Sequence, residues 1–245
     1  YDDHRDLHSF PTRRSSDLFD AFMKQRIAGT YHSAVTTLVS RLPMLLPGTL
    51  HRLSDTHAVA VTIDDGPTPR GTPSVLRTLE MLKMRATFFL TGDEVLRHPG
   101  LVRDIVALGH TVASHGHRHE DRSFARANTV REDVLRSLDA IEHCTGVRPR
   151  WYRPPFGRVN PLHIPVIRAE GCSVVLWSRM PREFASAVTG GSILACIRDV
   201  QGGDILVLHD NARSRDSVPL PLAAVARAMK EKDLLPYQFA NVERA

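Results

Sequence analysis

The chain has 245 residues, 42% hydrophobic and 24% charged, with a formal net charge of +5. That length suits one large domain or two small ones with a sizeable core, and basic residues scattered rather than clustered leave no footprint for nucleic acid. Three widely spaced cysteines without a CxxC argue against a disulfide framework, and no run of about 18 apolar residues offers a membrane span.

Residues 1–18 stand apart. HSFPTRRSSDL, residues 8–18, back-translates codon by codon to a standard short-read sequencing adapter, and YDDHRDL before it fits the upstream adapter with one base changed. The expectation is that 1–18 is a translated adapter with no part in the fold, and that the natural N-terminus is missing. Cytoplasmic and exported locations then both stay open. Leaving out its three Arg and four Asp takes the net charge to +6. Residues 19–56 read as a leader of uncertain structure. Within it SAVTTLVSRLPMLLPG (33–48) suits a short helix broken at Pro43 and Pro47; its Arg, Ser and Pro interruptions speak against a shortened membrane helix.

From His57 the pattern turns regular. HAVAVTI (57–63) reads as a buried strand. TPSVLRTLEMLKM (72–84) is an amphipathic helix with Thr72 as N-cap and Pro73 at its first position. ATFFLTG (86–92) is a strand, HPGLVRDIVALG (98–109) a helix, and HTVASH (110–115) a short strand. TVREDVLRSLDAIEHCTG (129–146) is a long helix with Val130, Val134, Leu138 and Ile141 apolar. HIPVIRAEG (163–171) is helical and SVVLWS (173–178) a strand. GGSILACIRDVQGG (190–203) is a helix, DILVLHD (204–210) a strand, LAAVARAMKEK (222–232) a helix, and YQFANV (237–242) a last strand. Strands alternating with helices predict βα units and about seven parallel strands in one catalytic domain over 57–245.

Polar clusters fall at strand C-terminal ends, where α/β folds place active sites. TIDDGP (62–67) ends the first strand with two acids, which repel unless a cation lies between them. SHGHRHED (114–121) follows another. His115 and His119 are four apart, so one helical turn puts both rings on one face, and a divalent metal accepts two imidazoles and a carboxylate. An HxH pair, His115 with His117 or His117 with His119, is chemically possible as well. RPRWYRPPFG (148–157) is a proline-stiffened loop able to aim one arginine and one backbone N–H.

TIDDGP, HGHRH, RPPFG, LWSRMPREF and VLHD, in that order, resemble the successive motifs of the NodB-homology polysaccharide deacetylases, carbohydrate esterase family 4. The likeness runs from about His57 to the C-terminus. It implies an irregular (β/α) barrel that removes N-acetyl groups from amino sugars of a polysaccharide or oligosaccharide, with the acetylated glycan as partner. It implies Asp65, His115 and His119 as ligands of a divalent metal, zinc first, with cobalt or another divalent ion able to substitute. Asp64 becomes the catalytic base and Arg153 its partner. The backbone N–H of Phe156 serves the oxyanion, His209 is the general acid, and Trp177 and Val207 are its apolar surroundings. Three positions depart from the pattern. Gly116 stands where Ser or Thr is usual, Met180 where an Asp is common, and Glu183-Phe184 where Asp-Trp is usual, so Glu183 is expected to orient His209. Two rivals remain at this level: a catalytically impaired carbohydrate-binding relative, and another metal hydrolase built on an HxH pair.

Overall fold

The computed structural model describes residues 48–181, 190–210 and 219–241, all within the unit Pro43–Ala245. The stretch 1–18, most of the helix expected at 33–48, and Glu183 lie outside the described residues.

Eight strands occur among the described residues: β1 (Thr49–Leu50), β2 (Ala58–Asp64), β3 (Thr87–Leu90), β4 (Thr111–Ser114), β5 (Trp151–Tyr152), β6 (Ser173–Val175), β7 (Ile205–His209) and β8 (Leu235–Tyr237). Every ladder between them is parallel, in the order β1-β6-β5-β4-β3-β2-β7, with β8 also on β2. Just past β6, Arg179 bridges Leu206 of β7 in parallel, and the Val207 N–H donates to the Arg179 carbonyl at 3.0 Å. The sheet therefore curls back on itself as an irregular barrel. Among the described residues seven α-helices accompany it: α1 (Thr72–Met81), α2 (Gly92–Arg97), α3 (Pro99–Ala107), α4 (Ala127–Thr145), α5 (Ile164–Ala169), α6 (Gly190–Arg198) and α7 (Pro219–Glu231).

Strand alternation sorts the core and aims the site. All seven residues of β2 are buried, as a strand covered on both faces requires. Val59, Val61 and Ile63 pack with Leu76, Leu79, Val225 and Met229 of the helices. Ala58 and Ala60 pack with Phe89, Ala113, Val175 and Ile205, the inward set of the neighbouring strands. With a period of two, the inward side also receives Thr62 and Asp64 from β2 and Val207 and His209 from β7.

Several local expectations are corrected. Gly71, not Thr72, is the residue before α1; the Thr72 hydroxyl instead donates to Asp210 and accepts the Thr68 N–H at 2.8 Å. Gly92 begins the short helix α2, with Asp93 and Glu94 in its first turn, rather than ending a strand. Trp151–Tyr152, read as loop between prolines, is a two-residue strand, and Thr49–Leu50 brings the sheet start ahead of His57. The last ladder covers Leu235–Tyr237, so most of YQFANV lies beyond it. Phe239 there is fully buried, and the Asn241 amide donates to the Val112 carbonyl at 2.8 Å. Among the described residues no helix is long and apolar enough to cross a membrane.

Candidate active site

Asp64 is the last residue of β2, and its side chain is 2% exposed. Alternation would send Asp65 to the opposite face. Its φ of 77° instead places it in the left-handed region, which aspartate tolerates better than most residues. Both carboxylates consequently face one histidine: His115 Nε2 lies 3.9 Å from Asp64 Oδ2 and 3.4 Å from Asp65 Oδ1.

His119 closes the group, with Nε2 3.2 Å from Asp65 Oδ1 and its ring 5.3 Å, centre to centre, from that of His115. One ligand-type atom from each of Asp65, His115 and His119 lies within 4.8 Å of the others. The other nitrogen of His115, Nδ1, is 2.8 Å from the Arg153 carbonyl. A carbonyl only accepts, so Nδ1 carries a proton, and Nε2 is the nitrogen turned to the site. Burial works to raise the Asp65 pKa, but the bonds to His115 and His119 and the charges of His115 and His209 hold it well below the usual carboxylate range. One anionic oxygen donor and two imidazoles converging from a buried floor and an open rim fit a divalent cation with room for further ligands.

His117 turns away. Its Nε2 lies 3.1 Å from Asp93 Oδ1 on α2, so neither HxH pair faces Asp65.

Arg153 fixes Asp64. It is wholly buried, donating to Asp64 Oδ1 at 2.6 Å, Thr62 Oγ1 at 2.8 Å, the Leu176 carbonyl at 3.0 Å and the Val175 carbonyl at 3.2 Å. Its guanidinium lies 4.0 Å from the centre of the Phe89 ring. Burial presses its pKa down and the Asp64 carboxylate presses back. The stiff RPPFG loop then turns through two left-handed residues, Phe156 at φ 60° and Gly157 at φ 66°. A Cβ at Gly157 would stand 2.4 Å from the Trp177 ring, so glycine is required there. The Phe156 ring meets His119 edge-to-face at 4.3 Å. Val207 is buried beside the site, and His209 is paired in register with Asp64 across the β2–β7 ladder.

Sequence reasoning gave no role to Asp210 or Asp133. Asp210 is fully buried, accepts from the Thr68 hydroxyl at 2.6 Å and from that of Thr72, and donates its N–H to the Asp64 carbonyl at 2.8 Å. It thereby ties the loop after Asp65 to the strand that carries His209. Gly66 and Gly71 leave it the space. The glycines and threonines of GPTPRGT were the available signal.

The polysaccharide deacetylase family profile matches residues 52–175. A peptidoglycan-N-acetylglucosamine deacetylase of Bacillus cereus is 32% identical over 186 residues, 75% of this chain and 85% of that protein. A chitooligosaccharide deacetylase of a Bradyrhizobium species is 32% identical over 192 residues, 74% of this chain and 88% of that protein. The solved family 4 carbohydrate esterase from Streptomyces lividans, in complex with acetate, aligns with a TM-score of 0.68 at 26% identity, covering 77% of this chain and 95% of that one.

Proposed function

The chain belongs to the polysaccharide deacetylase family, and on that premise we propose that it is a metal-dependent hydrolase removing N-acetyl groups from the amino sugars of a polysaccharide or oligosaccharide. The names of its relatives, acting on peptidoglycan and on chitooligosaccharides, support that substrate class. The observation that carries the reading is the convergence of Asp65, His115 and His119 beside an Asp64 held by a buried arginine.

Asp65, His115 and His119 would hold the cation, zinc first and cobalt as a substitute, and when bound it supplies Lewis acidity toward the acetamide carbonyl. Arg153 holds Asp64 Oδ1, leaving Oδ2 on the His115 side to take the proton of the attacking water. The Phe156 N–H donates to the oxygen that becomes negative as the carbonyl carbon turns tetrahedral. His209 gives a proton to the departing nitrogen as the C–N bond breaks, so acetate and a free amine leave. Trp177 and Val207 keep the surroundings of His209 apolar, and Glu183 orients its ring.

Purified protein, stripped with a chelator and reloaded with zinc or cobalt, should release acetate from chitooligosaccharides or peptidoglycan fragments. Asp64→Asn should abolish release while retaining metal. Absence of acetate from every N-acetylated glycan tried, with metal bound, would sink the proposal.

A further inference from the structure

Of the three residues between His115 and His119, Gly116 and His117 are held by groups around the loop. The Gly116 N–H donates to Ser114 Oγ at 3.3 Å, which in turn is 2.8 Å from Ser137 Oγ on α4. The Gly116 carbonyl accepts the Gly92 N–H at 3.0 Å, and the His117 carbonyl accepts the Asp93 N–H at 2.9 Å, both from the start of α2. The His117 N–H donates to Asp133 Oδ2 on α4 at 3.0 Å. The N–H and carbonyl groups of Gly116 and His117 are thus all bonded within the protein.

One of these grips is unlike the rest. Asp133 is an acid 7% exposed in the middle of a helix, a placement that is unfavourable unless its oxygens are bonded. Its Oδ1 lies 3.6 Å from Arg122 and its Oδ2 takes the loop N–H. Gly116 makes this possible. A Cβ there would stand 2.9 Å from Asp133 Oδ2, and the residue's φ is +78°. The carboxylate occupies the space that a side chain at 116 would need.

We propose that Asp133 is a positioning residue for the Asp65–His115–His119 site: through the His117 N–H it locks the loop in the shape that turns both ligand imidazoles toward Asp65, in the space Gly116 leaves open. The inference rests on the metal-site reading above. It has an unobvious corollary. Gly116→Ser, which returns a hydroxyl to the position where relatives commonly carry one, weakens metal binding here rather than improving it.

The test uses zinc and cobalt alone, without substrate. Zinc affinity is measured by competition with a chromophoric chelator, ligand geometry by the visible spectrum of the cobalt(II) form, and folding of the metal-free protein by circular dichroism. Asp133→Ala should bind zinc roughly 10–100-fold more weakly, as loss of a ligand-orienting partner typically does, with an altered cobalt spectrum. Asp133→Asn, whose amide oxygen can accept the same N–H, should recover both. Gly116→Ser should lose affinity. A folded Asp133→Ala with unchanged affinity and spectrum overturns the proposal, as does an Asn variant that recovers nothing. Should the Ala variant not fold, Gly116→Ser decides: affinity equal to or above that of the parent overturns it. If the parent protein itself binds no zinc, or His119→Ala binds as well as the parent, the metal-site reading has failed rather than the role of Asp133.

Discussion

Replacing Arg153 with methionine removes the charge while keeping much of the volume. Arg153 and Asp64 are 0% and 2% exposed, so little solvent is at hand to replace the bond that the stranded carboxylate loses. Three further acceptors, Thr62 Oγ1 and the carbonyls of Val175 and Leu176, lose their donors at the same time. Removing one member of a buried pair costs about 3–5 kcal/mol, and full burial with four donated bonds places this site toward the upper end. For a domain of this size that is a fall of roughly 10 °C or more in Tm. Asp64→Asn in the same background relieves the stranded charge, so the double variant should lose less than the two single losses added. Arg153→Lys keeps a charge but cannot span four acceptors with one ammonium, and should fall between. Urea unfolding of the metal-free variants gives the stabilities, and acetate release gives the rates; a freed Asp64 should lower kcat by about 10²–10⁴-fold. Arg153→Met with Tm and kcat both close to those of the parent would refute the reasoning.

Other expectations follow from the same geometry. His110 is buried, accepts the Ala86 N–H at Nδ1, and has its pKa pushed from 6.5 to about 4 by burial and by Arg85. The unfolded chain takes up a proton that the folded one refuses, so stability falls as pH drops from 6.5 toward 4, by up to about 3 kcal/mol; His110→Asn should flatten that limb in urea titrations, and an unchanged pH slope would count against it. Asp204, 0% exposed, accepts from Arg52 at 2.5 Å, Arg179 at 3.0 Å and Ser178 at 2.7 Å where β6 and β7 meet. Asp204→Ala should cost about 3 kcal/mol, the low end for a broken buried pair because both arginines reach water, and a Tm shift under a degree would exclude it. Gly157→Ala forces a side chain into left-handed backbone, about 1–2 kcal/mol, and against the Trp177 ring; tryptophan fluorescence should change together with Tm. Glu183→Gln should lower kcat less than His209→Ala does while metal content stays intact; full kcat would mean that His209 is held by another group.

How much of this was readable from the chain depends on segment length and on partners. AVAVTI announces a strand covered on both faces because six small or branched residues run without a charge. Thr49–Leu50 and Trp151–Tyr152 cannot announce themselves, since two residues carry no period, and the latter sits between prolines. The barrel supplies what the local sequence lacks: Trp151 and Tyr152 are strand because Ser173, Val174 and Ser114 lie beside them in register. In the site, Asp64, Asp65, His115 and His119 stood out because each follows a recognisable strand at a spacing that chemistry can use. The left-handed turn that brings Asp65 to the same face as Asp64 is a backbone event that two adjacent letters do not encode.

Asp133 shows where a sequence signal existed and was passed over. The long helix was read by its apolar residues, Val130, Val134, Leu138 and Ile141. Its buried set is Val130, Asp133, Val134, Ser137, Leu138, Ala140 and Ile141, so an acid and a hydroxyl sit inside the stripe that helical spacing turns to the core. Glu132, Asp139 and Glu142 are acids of the same helix outside that set, with nothing to explain. An acid within the stripe must have a buried donor, and the buried hydroxyl of the next turn, Ser137, is bonded to Ser114. The donor has to come from another segment, packed against α4 and short of internal bonds. The histidine-bearing loop, in which no group of its own takes the His117 N–H, meets both conditions. Counting polar residues inside an apolar stripe, and asking of each which loop it serves, would have found the support of the site as well as its ligands.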